Sequence, residues 1–453
     1  MLFYLLLKNI TFVAMQKIYS IIVVTIALLF SIKGNAQELP KSDILLPHTN
    51  DTAFIENDVI PLQIDSSKVN EISLDIQPIE TEDTEEKRKK KKEKQNKNFK
   101  FSILGGPGYS PDYGFSIGLA TLMTFSTDKG DTSLQRSVIP LNFTMSFGKP
   151  LGFTILSKPY IYFKGDKIRL QGLYEYKHTG ENYYGVGYSL NHNIKRKKDI
   201  TGYNADLLQI NPVLLFRIKN GASYIGPVAD LYFEKIKKPG SYVISDPYYI
   251  KQGGTAEGLT DINVGLGLAY SYDTRDIAAN AYKGILFEAR ALFYSKYFGG
   301  EYNFGAITID YRQYYKVSKT HRRVLAWNVL AKTKFGDIPF SQQAAVGGPF
   351  NLRGYYIGQY RDRTAVTAEI EWRHMWDIAT DTKIKRLLHR LGYTAWAACG
   401  FMGENIVKYN AVLPNLGAGL RVEVQKRMNF RVDAGYSFAD RHVLFYFNMT
   451  EAF

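Results

Sequence analysis

The sequence predicts an all-β protein: an antiparallel transmembrane β-barrel of about 16 strands behind a disordered N-terminal tail. Three observations carry that expectation. From residue 99 to the last residue, apolar and polar side chains alternate with period two, the mark of a strand with one apolar and one wet face. The alternating segments, such as residues 137–147, 203–217 and 363–376, are far longer than the five or six residues usual in soluble sheets. Tilted strands of that length suit a bilayer-crossing barrel. The connections are also sorted by length. Counted from residue 99, the longest follow odd-numbered strands (residues 179–202, 237–261 and 338–360). Tight ones at Gly165-Asp166, Lys219-Asn220-Gly221 and Ser318-Lys319-Thr320 follow even-numbered strands. Long loops at one end and short turns at the other are a barrel habit.

Composition agrees. Of 453 residues, 45% are hydrophobic and 14% aromatic, with 33 Tyr and 27 Phe but only 4 Trp. The negative mean hydropathy argues against a bundle of transmembrane helices and suits half-buried strands.

Taken in order, the chain opens with an address. Lys17 precedes an apolar run at residues 18–32, and Gly34-Asn35-Ala36 offers the small residues of a signal-peptidase site. Residues 1–36 therefore read as a secretory signal, with Met1 or Met15 as the start. A membrane anchor is the competing reading, though the run is short for a span. Gln37 and not a cysteine stands directly after the cleavage point, which excludes a lipoprotein, and the single Cys399 can form no internal disulfide. Residues 37–98 read as a disordered periplasmic tail without periodicity. They lead into the run KRKKKKEKQNKNFK at residues 87–100, with nine basic residues and one acid, preceded by an acidic patch at residues 80–86. In an exported chain of net charge +14, that run points to anionic lipid head groups or simple solvation rather than to nucleic acid, and the barrel-assembly machinery or a periplasmic partner is what the basic tail would meet.

Residues 99–453 form the barrel. Ala368-Glu369-Ile370-Glu371-Trp372-Arg373 and Phe430-Arg431-Val432-Asp433-Ala434 set apolar residues on one face and charges on the other. The closing strand places Phe445, Phe447 and Phe453 on one parity, with Glu451 the dissenter. With no water in the hydrocarbon layer, only closure of the barrel satisfies every strand's backbone. Within the long loop ahead of Ala368 lies Gly347-Gly348-Pro349-Phe350-Asn351-Leu352-Arg353-Gly354-Tyr355. Its glycines permit tight backbone turns, so it can form a compact tongue that delivers one guanidinium, with an ordinary Gly/Pro turn and a solvated Arg as the competing reading. Asp273-Thr274-Arg275-Asp276 reads as a turn held by its own Asp–Arg pair, and Glu288 and Arg290 share the inward parity.

No catalytic, cofactor or metal site emerges. The seven His are dispersed without ligand spacing, Gly185-Val186-Gly187 and Gly265-Leu266-Gly267 lack the helix that a phosphate loop requires, and no Ser/His/Asp neighbourhood is visible. The expectation is a protein that is not an enzyme and that sits in outer-membrane lipid.

Four segments together resemble the superfamily of BamA/TamA-like outer-membrane assembly barrels, also known as bacterial surface-antigen barrels. Gly348 to Tyr355 is similar to the family's Arg-Gly-aromatic tongue, between the eleventh and twelfth strands. Tyr270 to Asp276 with Gly284 resembles its Asp-x-Arg-Asp turn, Glu369 to Arg373 the strand after the tongue, and Gly417 to Phe453 the closing strands. The resemblance implies a 16-stranded barrel whose tongue enters the lumen. Arg353 would there meet Glu371 as main partner and Glu369 beside it, in a partly screened space, through a bidentate fork that Lys lacks. It also implies insertion or translocation of protein or lipid at the outer membrane, alone or with the barrel-assembly machinery. A passive pore or structural barrel is the alternative. Two departures stand out. Where the family carries a further acid for the tongue, this chain reads Trp396-Ala397-Ala398-Cys399-Gly400. Residues 37–98 also leave no room for the POTRA modules that precede such barrels.

Overall fold

A computed structural model describes residues 98–453 except 132–133, 149, 279 and 426–427. The signal sequence, the tail and nearly all of the basic run lie outside the described residues. So does the question of POTRA modules.

Sixteen strands run in sequence around one antiparallel sheet. They are β1 (Phe99–Ser110), β2 (Gly114–Phe125), β3 (Ser137–Ser146), β4 (segments Gly152–Ser157 and Tyr160–Tyr162), β5 (Ile168–Asn182), β6 (Gly202–Arg217), β7 (Ser223–Lys237) and β8 (Gly258–Asp273). The second half comprises β9 (Gly284–Tyr294), β10 (Phe304–Lys316), β11 (Arg323–Gly336), β12 (Thr364–Met375), β13 (Leu391–Gly403), β14 (Tyr409–Gln425), β15 (Met428–Ser437) and β16 (His442–Met449). Both segments of β4 pair with β3 and β5. The break at Lys158-Pro159 follows from proline, which has no N–H to give to the ladder.

The sheet closes where β16 meets β1, and this junction is thin. β1 pairs with β2 along all twelve of its residues, whereas Tyr109↔Phe447 is the single registered pair between β1 and β16 among the described residues. The two rings sit 5.7 Å apart, so side chains hold what the ladder does not.

The faces are inverted relative to a soluble sheet. Along β14 and β15, Leu420 is 64% exposed while Arg421, Arg431 and Asp433 are buried. Exposed Phe99, Phe101 and Ile103 alternate with half-buried residues on β1. Apolar residues face outward toward lipid and charges face the lumen. Phe445 stays outward, 51% exposed, and Phe447 is on the same face at the seam.

Phe453 departs from the sequence expectation. β16 ends at Met449, and Thr450 takes φ +69°, a left-handed conformation that breaks the period-two alternation. The last three residues turn into the lumen. Phe453 packs beside Ala281, Tyr282, Tyr314, Val324 and Ala326, and Glu451 is buried. Parity ceases to apply once the strand ends, which is why Glu451 looked out of place.

The three longest loops gather at one end of the barrel, while the connection between Met375 and Leu391, with a short helix at Lys383–His389, lies at the other. At the long-loop end, short helices α1 (Tyr188–Asn193), α2 (Ser241–Ser245) and α3 (Pro247–Lys251) carry the connections after β5 and β7. Phe340 of the loop after β11 is buried among Tyr183, Tyr203 and Tyr249. From this end the tongue descends. Its two legs form a small ribbon, Ala344–Val346 with Tyr360–Asp362, that stands inside the sheet.

Candidate functional site

The tongue between the ribbon legs is bent by its glycines. Gly347, Gly348 and Gly354 all have φ between +102° and +123°, a region that side chains other than glycine's avoid. Leu352, at φ +62°, is held there by burial with Tyr355 and Tyr360 against Met402 and Leu413. Gly354 lies on the backbone of Gly435 in β15. A Cβ on Gly435 would come within 2.8 Å of the Gly354 nitrogen, and one on Gly354 within 3.2 Å of the Gly435 carbonyl. Tyr446 of β16 pins this turn, accepting from Gly354 N–H at 3.1 Å and donating to the Tyr355 carbonyl at 2.8 Å. Tyr355 in turn donates to the Pro414 carbonyl on β14 at 2.8 Å.

This clamp aims Arg353, which is 0% exposed. Its Nη2 donates to both Glu369 and Glu371 of β12, and Nη1 donates to Asp433 Oδ2 of β15 at 2.9 Å. The guanidinium carbon stands 3.5 Å over the Trp396 ring of β13, a cation–π contact strengthened by the burial of Arg353. Glu371 and Glu369 thus both reach Arg353, as the resemblance implied. Two features differ from expectation. The space is fully buried rather than partly screened, because the tongue and the C-terminal residues exclude solvent. The further acid arrives from β15 instead of β13, and from β13 the guanidinium meets the Trp396 ring instead of a carboxylate.

The pairs continue beyond the tongue. Asp433 also accepts from Arg421 Nη1 at 2.6 Å and from Arg431. Arg421 Nε donates to Glu451 Oε2 at 2.9 Å, and Asn429 donates to Glu451 Oε1 at 2.7 Å. On the other branch, Arg373 Nε donates to Glu371 Oε1 at 2.6 Å, and Arg373 Nη2 donates to the Phe453 carbonyl at 3.1 Å. Its guanidinium also covers the Phe453 ring at 4.8 Å. Arg431 reaches back up to the tongue, donating to the Pro349 carbonyl at 2.7 Å and lying 4.9 Å over Phe350. Four guanidiniums and four carboxylates therefore form one buried ladder from the tongue to the chain terminus. Such a network loses much hydration, so its value lies in geometry: it tolerates one arrangement and penalises any that leaves a charge unmatched.

The remaining predicted residues sit elsewhere. Arg275 grips Asp273 bidentately, Nε to Oδ1 at 3.0 Å and Nη2 to Oδ2 at 2.8 Å, while Asp276 Oδ1 accepts from the Tyr282 N–H at 2.9 Å. This turn shares no bond with Arg353. It meets the ladder's far end instead, since Ala281 and Tyr282 belong to the cluster that receives Phe453. Sequence reasoning missed Asp433, Arg421, Arg431, Trp396, Tyr446 and Glu451 as tongue-linked groups. For Arg431 and Asp433 the signal was present in the inward parity of Phe430-Arg431-Val432-Asp433. For Glu451 the signal was its clash with the apolar face of the last strand.

Comparison with known proteins gives a consistent picture. A sequence model of the Omp85 superfamily domain matches residues 127–385, more than half of the chain. No curated protein matches significantly. Among solved structures, BamA from Haemophilus ducreyi lacking POTRA domains 1–3 is similar at 13% identity and a TM-score of 0.53, covering 77% of this chain and 70% of that one. CdiB from Escherichia coli is similar at 12% identity and a TM-score of 0.51, covering 79% of this chain and 63% of that one. At such identities the likeness is one of fold.

Proposed function

The chain belongs to the Omp85 superfamily as an integral outer-membrane barrel, and we propose that it acts there in inserting or translocating protein or lipid. The observation that carries this reading is the thin β1–β16 junction, with its single pair Tyr109↔Phe447. A sheet otherwise paired along its strands has one place where opening breaks few hydrogen bonds. Exposed backbone there would present a strand edge to an incoming strand, which β-pairing rewards. The tongue is fastened to β12 and β15 and, through Tyr446, to β16, so it holds the closing strands in one arrangement while the junction remains weak. No step requires catalysis.

The experiment is a reversible lock. In a Cys399→Ser background, Tyr109→Cys with Phe447→Cys would be oxidised across the junction and reconstituted in liposomes. Insertion of an unfolded barrel client, or lipid transfer between leaflets, should stop on oxidation and return on reduction. Steady ohmic conductance that ignores both the lock and Arg353→Ala, with no client or lipid movement, would establish the passive pore instead. The proposal extends to partners: outer-membrane lipid surrounds the barrel, and the basic run at residues 87–100 suits anionic head groups or a periplasmic partner by charge.

A further inference from the structure

The tongue and the C-terminal ladder occupy the lumen side formed by β12 to β16. On the other side, β4 to β11 enclose a cavity of about 450 Å³ that shares no lining residue with the tongue contacts. Its charges are unevenly matched. Each of three lining carboxylates is already engaged. Asp310 accepts from Arg312 at 2.6 Å and from Asn328 at 3.0 Å. Glu288 accepts from Arg290 at 3.1 Å. Asp230 accepts from Gln209 at 2.9 Å and Tyr294 at 2.7 Å. Lys158, Lys332 and Lys334 line the same cavity, and among the described residues none of their ammonium groups has a hydrogen bond or an ion pair. Lys334 has only the Phe304 ring, 5.9 Å away. Glu175, inward on β5, forms no ion pair with Lys158.

We propose that this cavity is a binding site for a small, multiply charged phosphate anion. The placement is built by the fold. Lys332 and Lys334 are two apart on β11, so strand parity sends both inward, opposite Thr308 and Ala306 of β10. Lys158 sits at the proline break of β4 and reaches in from the facing wall. The lining thus carries five cations, Lys158, Arg290, Arg312, Lys332 and Lys334, against three carboxylates that are already engaged, an excess of positive charge. A polyanion offsets that excess and takes hydrogen bonds from several donors at once. Arg290 and Arg312, each holding an acid, keep guanidinium N–H groups at the same wall. Phosphate chemistry could come from a free solute or from a lipid head group. The inference does not rest on the seam-opening function and survives its failure.

The test uses the full chain in neutral detergent with inorganic pyrophosphate as probe, against sodium chloride at matched ionic strength. Pyrophosphate should raise the melting temperature saturably. Lys332→Ala with Lys334→Ala should weaken apparent binding at least 10-fold while the variant still melts cooperatively. A second arm adds short-chain phosphatidic acid in micelles: displacement of pyrophosphate assigns the site to a lipid head group, and no displacement to a free phosphate. A shift reproduced by sodium chloride, or one unchanged in the double variant, overturns the site. If the double variant fails to fold, Lys158→Ala, at the strand break, supplies the same comparison.

Discussion

At the residue scale the molecule turns on one guanidinium that serves three carboxylates and one indole. Planarity is what allows this, since the same group presents edges to Glu369, Glu371 and Asp433 and a face to Trp396. Arg353→Ala leaves acids buried without their cation, and loss of one partner of a buried pair costs about 3–5 kcal/mol. Thermal unfolding in detergent should therefore show Arg353→Ala well below wild type. Arg353→Lys should lie between them, because it keeps the charge but loses the fork and the stacking. Identical melting of Arg353→Ala and wild type would make tongue docking dispensable to the barrel. Arg353 was legible through the resemblance of its stretch to the family's tongue, since spacing alone suits an ordinary Gly/Pro turn with a solvated Arg equally. Its third acid was not, because Asp433 is 80 residues away and comes near only when the sheet curls.

At the element scale the tongue depends on its return leg as well as on its tip. Ile357 N–H donates to Asp112 Oδ2, in the β1–β2 turn, at 3.0 Å, and Arg196 lies 3.5 Å from the other oxygen. Burial pushes the Asp112 carboxyl up to about 6, against the opposing pull of Arg196. A carboxyl raised in the fold stabilises it fully below the unfolded value near 4, and that contribution is lost as pH rises through about 6. Relative to Asp112→Asn, wild-type stability should therefore fall between pH 4 and pH 7 by on the order of 2–3 kcal/mol. Parallel melting curves of the two proteins across that window would remove Asp112 from the account. The strands themselves were readable as elements, since period-two alternation is a local property. The long loops were readable only as loops. That Phe340 of one would bury itself among Tyr183, Tyr203 and Tyr249 of others depends on which strand ends lie side by side.

At the scale of the whole molecule, the buried ladder joins the tongue to the last residues of the chain. Arg353, Asp433, Arg421 and Glu451 form one branch, and Glu371, Arg373 and the Phe453 carbonyl the other. Docking of residues 451–453 completes a network that the tongue also requires. Glu451→Gln should consequently loosen the tongue as well as the terminus. Hydrogen exchange would register this as faster exchange at Gly354 and Tyr355 than in wild type, with the β5–β8 amides unchanged. Exchange confined to residues 449–453 would show the two ends to be uncoupled.

The sequence by itself determined the class of the molecule: alternation, strand length and loop sorting are short-range properties, and the bilayer leaves strands no solution except closure. It also determined which side chains face inward along each strand, Glu369 and Glu371 among them; that Arg353 would meet them came from the resemblance to the family's tongue. Only the tertiary structure decided the rest. Closure sets β15 across from β12 and brings Asp433 to Arg353. The left-handed turn at Thr450 carries Glu451 and Phe453 inward against their parity. The β4–β11 wall leaves three lysines around one cavity. Each is a relation between residues far apart in the chain, fixed by sheet curvature and register, and period-two patterning contains no information about either.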